Sequence, residues 1–291
     1  MPAGEGDRAA GGTGRLVVCP TPIGNLEDVT LRVLAALKEA DLVACEDTRR
    51  TRVLLDRYDI EAQLLSYHEH NEQTRSAGLV ERIRAGAVVA LVSDAGMPLV
   101  SDPGFVLLSA CVAAGLRVEV LPGPSAVLTA LVASALPAAR WCFTGFLPRK
   151  RSELIEAFSS PETLVAFESP RRITASLAVL AAIDSDRPVA VCRELSKIHE
   201  EVLRGTAAQL ASRLQSEPPR GEVVLVVGAA TEGASEAGAA IDALRRLIAS
   251  GAKPRPAASV VAELTGLSAN QLYRELTIGS GRLRNAEGDC R

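Results

Sequence analysis

Aromatic residues are scarce: they make up 3% of the 291 residues, with one Trp, three Tyr and five Phe. So few rings exclude the stacked platform on which single-stranded nucleic-acid binders lay their bases. Histidine is as rare, at three residues, and no two of the six cysteines form a CxxC pair. A structural zinc site lacks its ligand spacing, and no metal is expected. Scattered thiols in apolar runs read as reduced and buried, which points to the cytoplasm. No GxGxxG follows the first apolar run and no GxxxxGK[ST] is present, so a standard dinucleotide domain and a P-loop nucleotidase have no local support. No apolar stretch reads as a membrane span. Residues 120–139 are uncharged, but Pro122, Gly123, Pro124 and Pro137 divide them into strand, turn and buried helix. Residues 1–14 have no apolar core and read as a flexible tail, not a secretion signal.

Charge of one sign is not in excess either. The net charge of −3 divides into −5 over residues 1–139, +2 over 140–220 and 0 over 221–291. That excludes a chain-wide polyanion binder and leaves open a local basic surface in the middle. What is present is globular: 47% apolar and 23% charged residues, in a length that suits two domains.

Strand-like runs at 16–19, 42–45, 64–67, 88–92 and 118–121 alternate with helical periodicity at 29–40, 48–58, 71–84, 104–114 and 125–134. This predicts a first domain over 15–139, a mostly parallel sheet with helices on both faces. Asn71 is placed to cap the third of these helices. A second α/β domain is expected over 140–228. Its strands fall at 141–144, 164–167, 188–192, 201–204 and 222–227, and its helices at 152–158, 171–182 and 207–215. Residues 229–240, rich in Gly, Ala, Glu and Ser, read as a linker. Over 241–278, two helical segments flank a turn with Gly266 and Ser268, a helix-turn-helix pattern. It suits nucleic-acid contact and equally a small helical appendage packed on the body. Residues 279–291 read as a second tail.

In place of the missing fingerprints stand three loops rich in proline and glycine. They are 20–28 (PTPIGNLED), 93–104 (SDAGMPLVSDPG) and 121–126 (LPGPSA), each after a predicted strand. Open α/β sheets bind ligands at that edge, where glycine allows close approach and proline fixes loop shape. Asp94 offers a carboxylate to a ribose or amino group. Ser125 suits a helix cap or a ligand contact. Together the loops point to a cofactor pocket.

In order, the runs TPIGNLEDVTLRVL, ACEDTRRTRVLL, SDAGMPLVSDPG, LPGPSAVLTAL, FTGFLPRK, FESPRRI, CRELSKIHEE and GEVVLVVG resemble the tetrapyrrole methylase superfamily, from about residue 16 to 228. The resemblance implies two α/β domains with a cofactor cleft between them, S-adenosylmethionine as methyl donor, and a homodimer. Tetrapyrrole-acting members typically carry GxGPGD after the first strand. TPIGNLED replaces it here, which favours the superfamily's RNA branch over a precorrin-type methylase. For that branch the reaction implied is methylation of the ribose 2′-hydroxyl of a cytidine in 16S rRNA. The cofactor contacts carried over are Thr21, Pro22, Gly24, Asp94, Ala95, Gly96, Met97, Ser125 and Ala126, with Phe167 and Leu195 flanking the adenosine.

The remaining charged motifs are read on their own residues. Glu46 and Asp47 suit the N-terminus of a helix. Arg49, Arg50 and Arg52 lie in the same first turn, where the dipole disfavours cations, and lean towards an anionic partner. Arg149, Lys150, Arg151, Arg171 and Arg172 suit RNA phosphates or surface ion pairs; the resemblance favours RNA. Methyl transfer from a sulfonium needs a positioned hydroxyl and help with its proton. Glu168 and Lys197 are the expected proton acceptor or charge stabiliser, with Arg193 and Arg171 orienting phosphate. A reading from another class is a non-catalytic nucleic-acid-binding protein that uses the C-terminal helices and binds no S-adenosylmethionine.

Overall fold

Five short strands, β1 (Arg15–Val18), β2 (Leu42–Cys45), β3 (Leu64–Ser66), β4 (Val88–Val92) and β5 (Arg117–Val120), pair in parallel in the order β3-β2-β4-β1-β5. In this computed structural model residues 14–230, 240–241, 243–248, 250–270 and 272–273 are described. The expected tails and most of the expected linker therefore lie outside the described residues. The chain divides into two units, Met1–Thr129 with Glu194–Glu200, and Ala130–Arg193 with Glu201–Arg291. The division falls earlier than the expected 139/140 boundary, and residues 194–200 join the first unit rather than the second.

In the first unit the strands alternate with α1 (Leu31–Glu39), α2 (Thr48–Arg57), α3 (Glu72–Arg84), α4 (Phe105–Ala113) and the start of α5 (Ala126–Ser134). Successive strand residues face opposite sides. Val17, Val43 and Ala90 pack against Val33, Leu37, Leu54 and Leu55 of α1 and α2. Leu16, Leu42, Ala44 and Leu91 pack against Leu79, Ile83 and Leu107 of α3 and α4. Every residue of β2 is buried, the run a two-sided parallel sheet demands. Each fully buried Leu or Val contributes about 1.5–3 kcal/mol. Residues 26–28 form a 3-10 turn absent from the sequence reading, capped by Asn25, whose Oδ1 accepts from Glu27 N–H at 3.1 Å. Asn71 stands at the N-cap of α3, but its Oδ1 accepts from His68 N–H at 2.9 Å instead of capping the helix.

The second unit holds β6 (Trp141–Phe146), α6 (Arg151–Phe158), β7 (Thr163–Glu168), α7 (Ile173–Ile183), β8 (Pro188–Arg193), β9 (Glu201–Thr206), α8 (Ala207–Ser216) and β10 (Val223–Val227). Its order is β6-β7-β10-β8-β9, and only β6–β7 is parallel. Alternate strand residues, among them Leu164, Ala166, Val189, Val191 and Leu225, join α6, α7 and α8 in one core. Thr206 and Gln209 close a capping box at the start of α8.

The C-terminal helices exist. Leu244, the helix Pro254–Thr265 and Leu272 share a small core with Ala257, Ala258 and Val261. Gly266 ends the helix in the left-handed region at φ 70°, the conformation that favours glycine there. Among the described residues no helix is long and apolar enough to cross a membrane.

Candidate cofactor and catalytic site

The three proline-glycine loops meet at the C-terminal edge of the parallel sheet. Thr21 and Gly96 exchange both backbone hydrogen bonds, each 2.9 Å, and Thr21 Oγ1 donates to Ser93 O at 3.0 Å. Gly96 holds a φ of +78°; a Cβ there would lie 3.4 Å from Ile23 Cγ2 and 3.8 Å from Pro124 O. A Cβ on Gly123 would come within 2.7 Å of Pro20. Loops 20–25, 93–97 and 121–124 therefore brace one another: Gly123 stands where a side chain would strike Pro20, and Gly96 holds a backbone conformation that favours glycine. Further along, Leu99 and Ser101 hold φ of 72° and 67°, strain of the kind concentrated at binding sites. Ser125 Oγ accepts from Leu128 N–H at 3.4 Å, a long cap for α5.

Asp94 does more than face a ligand. Its Oδ1 accepts from Asp47 N–H at 3.0 Å and its Oδ2 lies 3.5 Å from Arg50 Nη1. It thereby ties the β4 loop to the start of α2. Asp47 caps that helix through Arg49 N–H at 2.8 Å and pairs with the Arg49 guanidinium, and these bonds hold its carboxyl at about 2. Arg49 and Arg50, expected to meet RNA, each have an acid beside them and remain exposed. Burial and then Asp94 push Glu46 up. Burial, then Glu46, push Asp102 up to about 6, with Asp94 adding to the rise and Ser93 opposing it through a hydrogen bond. The edge is acidic and crowded. Sequence reading missed Asp102, although its place in the 93–104 loop marked it.

Segment 194–200, a connection between two strands of the second unit, packs on the first unit. Leu195 is buried, and Lys197 Nζ lies 2.9 Å from Glu194 Oε1. Ser196 Oγ hydrogen-bonds the Asp28 carboxylate, and Ser196 N–H donates to Glu200 Oε2 at 2.6 Å. An open groove of about 650 Å³ runs between Gly24–Glu27, Arg57 and Ser196–His199.

The second unit holds the other expected residues. The Glu168 side chain is 0% exposed. Its Oε1 accepts from Ser169 N–H at 2.7 Å; its Oε2 accepts from Ser176 Oγ at 2.6 Å and lies 3.3 Å from Arg172 Nη2. This corrects its expected part as proton acceptor: no face of the carboxylate is open to a substrate. Arg172 is likewise engaged inside its unit, donating to Leu147 O and Pro148 O at 3.2 and 2.6 Å, and is not a free phosphate contact. It binds the loop before Arg149, Lys150 and Arg151 to the turn that carries Arg171, and those four cations are exposed. Arg193 Nε donates to Glu201 Oε2 at 2.7 Å and Arg193 Nη1 to Arg220 O at 3.4 Å. Phe167 is half-buried, with ring centroids 5.1 Å from Phe143 and 5.5 Å from Phe146. Among the described residues no group of three or more His, Cys, Asp or Glu could hold a metal ion.

Comparison with known proteins bears on this geometry. The sequence model of the family described as tetrapyrrole (corrin/porphyrin) methylases matches residues 15–211. The chain is 44% identical to the ribosomal RNA small subunit methyltransferase I of Micromonospora olivasterospora, across 96% of this chain and 92% of that one. It is 47% identical to the protein of that name from Mesorhizobium japonicum, across 90% of each. The uroporphyrin-III C-methyltransferase of Thermus thermophilus, solved with S-adenosyl homocysteine, shares the fold. Its TM-score is 0.53 and its identity 22%, covering 74% of this chain and 97% of that one.

Proposed function

This chain belongs to the tetrapyrrole methylase family, and from that membership we infer that it is an S-adenosylmethionine-dependent methyltransferase of small-subunit ribosomal RNA. The observation that carries the reading is near full-length identity of 44–47% with proteins named for that activity. The acceptor we assign is the ribose 2′-hydroxyl of a cytidine in 16S rRNA.

The edge suits such a donor on charge. Glu46 and Asp102 are pushed up by burial and by neighbouring acids, and a ligand bearing sulfonium and ammonium charge relieves that repulsion. When bound, S-adenosylmethionine supplies a methyl group already activated on sulfur. Thr21 and Pro22 of the first loop, Asp94, Ala95, Gly96 and Met97 of the second, and Ser125 and Ala126 of the third would hold it, and the family resemblance adds Phe167 and Leu195 as adenosine contacts. With Glu168 closed off, Lys197 is the group left to meet negative charge on the ribose oxygen, and Arg193 orients phosphate. The exposed Arg149, Lys150, Arg151 and Arg171 of the second unit, and separately Arg49 and Arg50 of the first, are the cations we assign to RNA phosphates. The five described cysteines are free, which supports a reducing, cytoplasmic setting. Phe105 and Val112 on α4 and Val120 on β5 stand exposed, which supports a homodimer.

Titration calorimetry with S-adenosylmethionine, then radiolabelled transfer to small subunits that lack the mark, tests this reading. Binding followed by transfer to 16S rRNA is expected. Asp94→Ala should weaken binding about tenfold, and Lys197→Ala should leave binding intact while slowing transfer about 10- to 100-fold. Binding without transfer would redirect the enzyme to a small-molecule acceptor, and absence of binding would overturn the reading.

A further inference from the structure

Gly24 stands in the first loop, where the family resemblance makes it a cofactor contact. Its own geometry says something else. It does not hold a left-handed φ, so backbone conformation does not require glycine there. Space does. A Cβ on Gly24 would lie 2.4 Å from Lys197 Cγ, 3.3 Å from Lys197 Cε and 3.0 Å from Leu195 O. The methylene stem of Lys197 crosses the bare Cα, and the ammonium is met by Glu194 at 2.9 Å. Long cationic side chains lay their stems along apolar surface in this manner while their heads stay polar.

The turn that delivers the lysine is held at a cost. Glu194 and Ser196 both adopt left-handed φ, 49° and 68°, without being glycine. Lys197 N–H donates to Glu194 O at 3.0 Å, and Glu200 N–H to Lys197 O at 3.0 Å. Ser196 is tied to Asp28, in the 3-10 turn that closes the Gly24 loop. So the loop bearing Gly24 and the turn bearing Lys197 are fastened together beside the groove both line. Strained backbone persists where the surrounding structure over-determines it, and here it fixes one side chain.

We propose that Gly24 is a positioning residue: its missing side chain is the seat that sets the Lys197 ammonium in the groove between residues 24–27 and 196–199. The proposal rests on the reading of Lys197 as the charged group of methyl transfer. It places Gly24 in the chemical step and not in cofactor affinity.

A double-mutant cycle tests it. Single-turnover methyl transfer should fall in Gly24→Ala about as far as in Lys197→Ala, about 10- to 100-fold, with S-adenosylmethionine affinity held within about twofold. In the Lys197→Ala background, adding Gly24→Ala should cost no more than about twofold further, because the stem it would strike is gone and only the 3.0 Å approach to Leu195 O remains. Gly78→Ala, on an open stretch of α3, is the control and should transfer at the parent rate. Losses that add in the double variant, or cofactor affinity that falls with Gly24→Ala in either background, would overturn the proposal. A second readout needs no transfer: acetylation of Lys197 by an amine reagent, mapped by mass spectrometry, should change severalfold in Gly24→Ala while Lys150 keeps its rate. Unchanged Lys197 reactivity would also overturn it. If the parent protein transfers no methyl group to RNA, the functional reading fails by itself, and the labelling result still decides the seat.

Discussion

Each unit carries buried or partly buried carboxylates, and the two units treat them differently. In the second unit Glu168 is sealed in and matched by Ser169, Ser176 and Arg172. Asp184 meets Arg187, whose guanidinium also donates to Gly228 O at 2.9 Å and Phe158 O at 3.2 Å. In the first unit Glu46, Asp94 and Asp102 crowd one loop edge, and two of the three are pushed up from their ordinary values. The same edge carries left-handed Leu99 and Ser101. Charges matched by fixed partners hold a fold together. Charges left in mutual repulsion, beside strained backbone, are destabilising until something binds. The contrast fits the second unit's ions to architecture and the first unit's edge to the cofactor site proposed for it.

The sharpest way to break that contrast is at Arg187, one of the largest fully buried side chains. Arg187→Ala strands the Asp184 carboxylate and the carbonyls of Phe158 and Gly228. Removing one partner of a buried pair costs about 3–5 kcal/mol, and the chemical-denaturation midpoint should fall accordingly. A loss below about 1 kcal/mol would show that the second unit's ions are not what holds it.

The next effect has the opposite sign and lies in the first unit. Asp102 is held at about 6, above its ordinary 3.8, so the folded state binds that proton more tightly than the unfolded chain. The resulting stabilisation is complete below about pH 4 and is lost as pH rises through 6. Asp102→Asn cannot ionise and escapes the loss. It should match the parent at pH 4 and exceed its stability by about 1–2 kcal/mol at pH 8, the shift discounted for partial exposure. Equal stability at both pH values would mean that the acidic edge carries no stored repulsion.

How much of this contrast could be read from the residues differs by unit. In the first, apolar runs place all five strands within a residue or so of their ends: β1, β2 and β4 are buried on both faces, and the edge strands β3 and β5, less buried, are marked by the helices that flank them. In the second, the strands are equally visible but their directions are not: three of the four neighbouring pairs are antiparallel, and a parallel or an antiparallel neighbour leaves the same local pattern of apolar positions. The burial of Glu168 was legible in principle. Leu164 and Ala166 lie in the core, and Glu168 shares their parity on β7. The adoption of residues 194–200 by the first unit was not, since a loop's local sequence does not state which body it packs on. Nor was the seat of Lys197 over Gly24, because the two residues are far apart in the chain.

The smallest effect separates glycines that make room from glycines that do not. Gly78 lies inside α3, exposed, with nothing within 4 Å of the position its Cβ would take. Glycine within a helix is less favourable than alanine by about 0.5–1 kcal/mol, chiefly through the freedom it gives the unfolded chain. Gly78→Ala should therefore raise the thermal midpoint by a few degrees, as expected for about 1 kcal/mol in a domain of this size. At the loop edge the same exchange has no such benefit to give: at Gly123 the new methyl meets Pro20, and at Gly24 it meets Lys197 and Leu195. If Gly78→Ala were as harmful as Gly24→Ala, crowding against Lys197 would not be what makes position 24 special. A gain at position 78 beside a loss at position 24 locates the demand for bare Cα atoms at the loop edge, where left-handed backbone and crowded carboxylates already coincide.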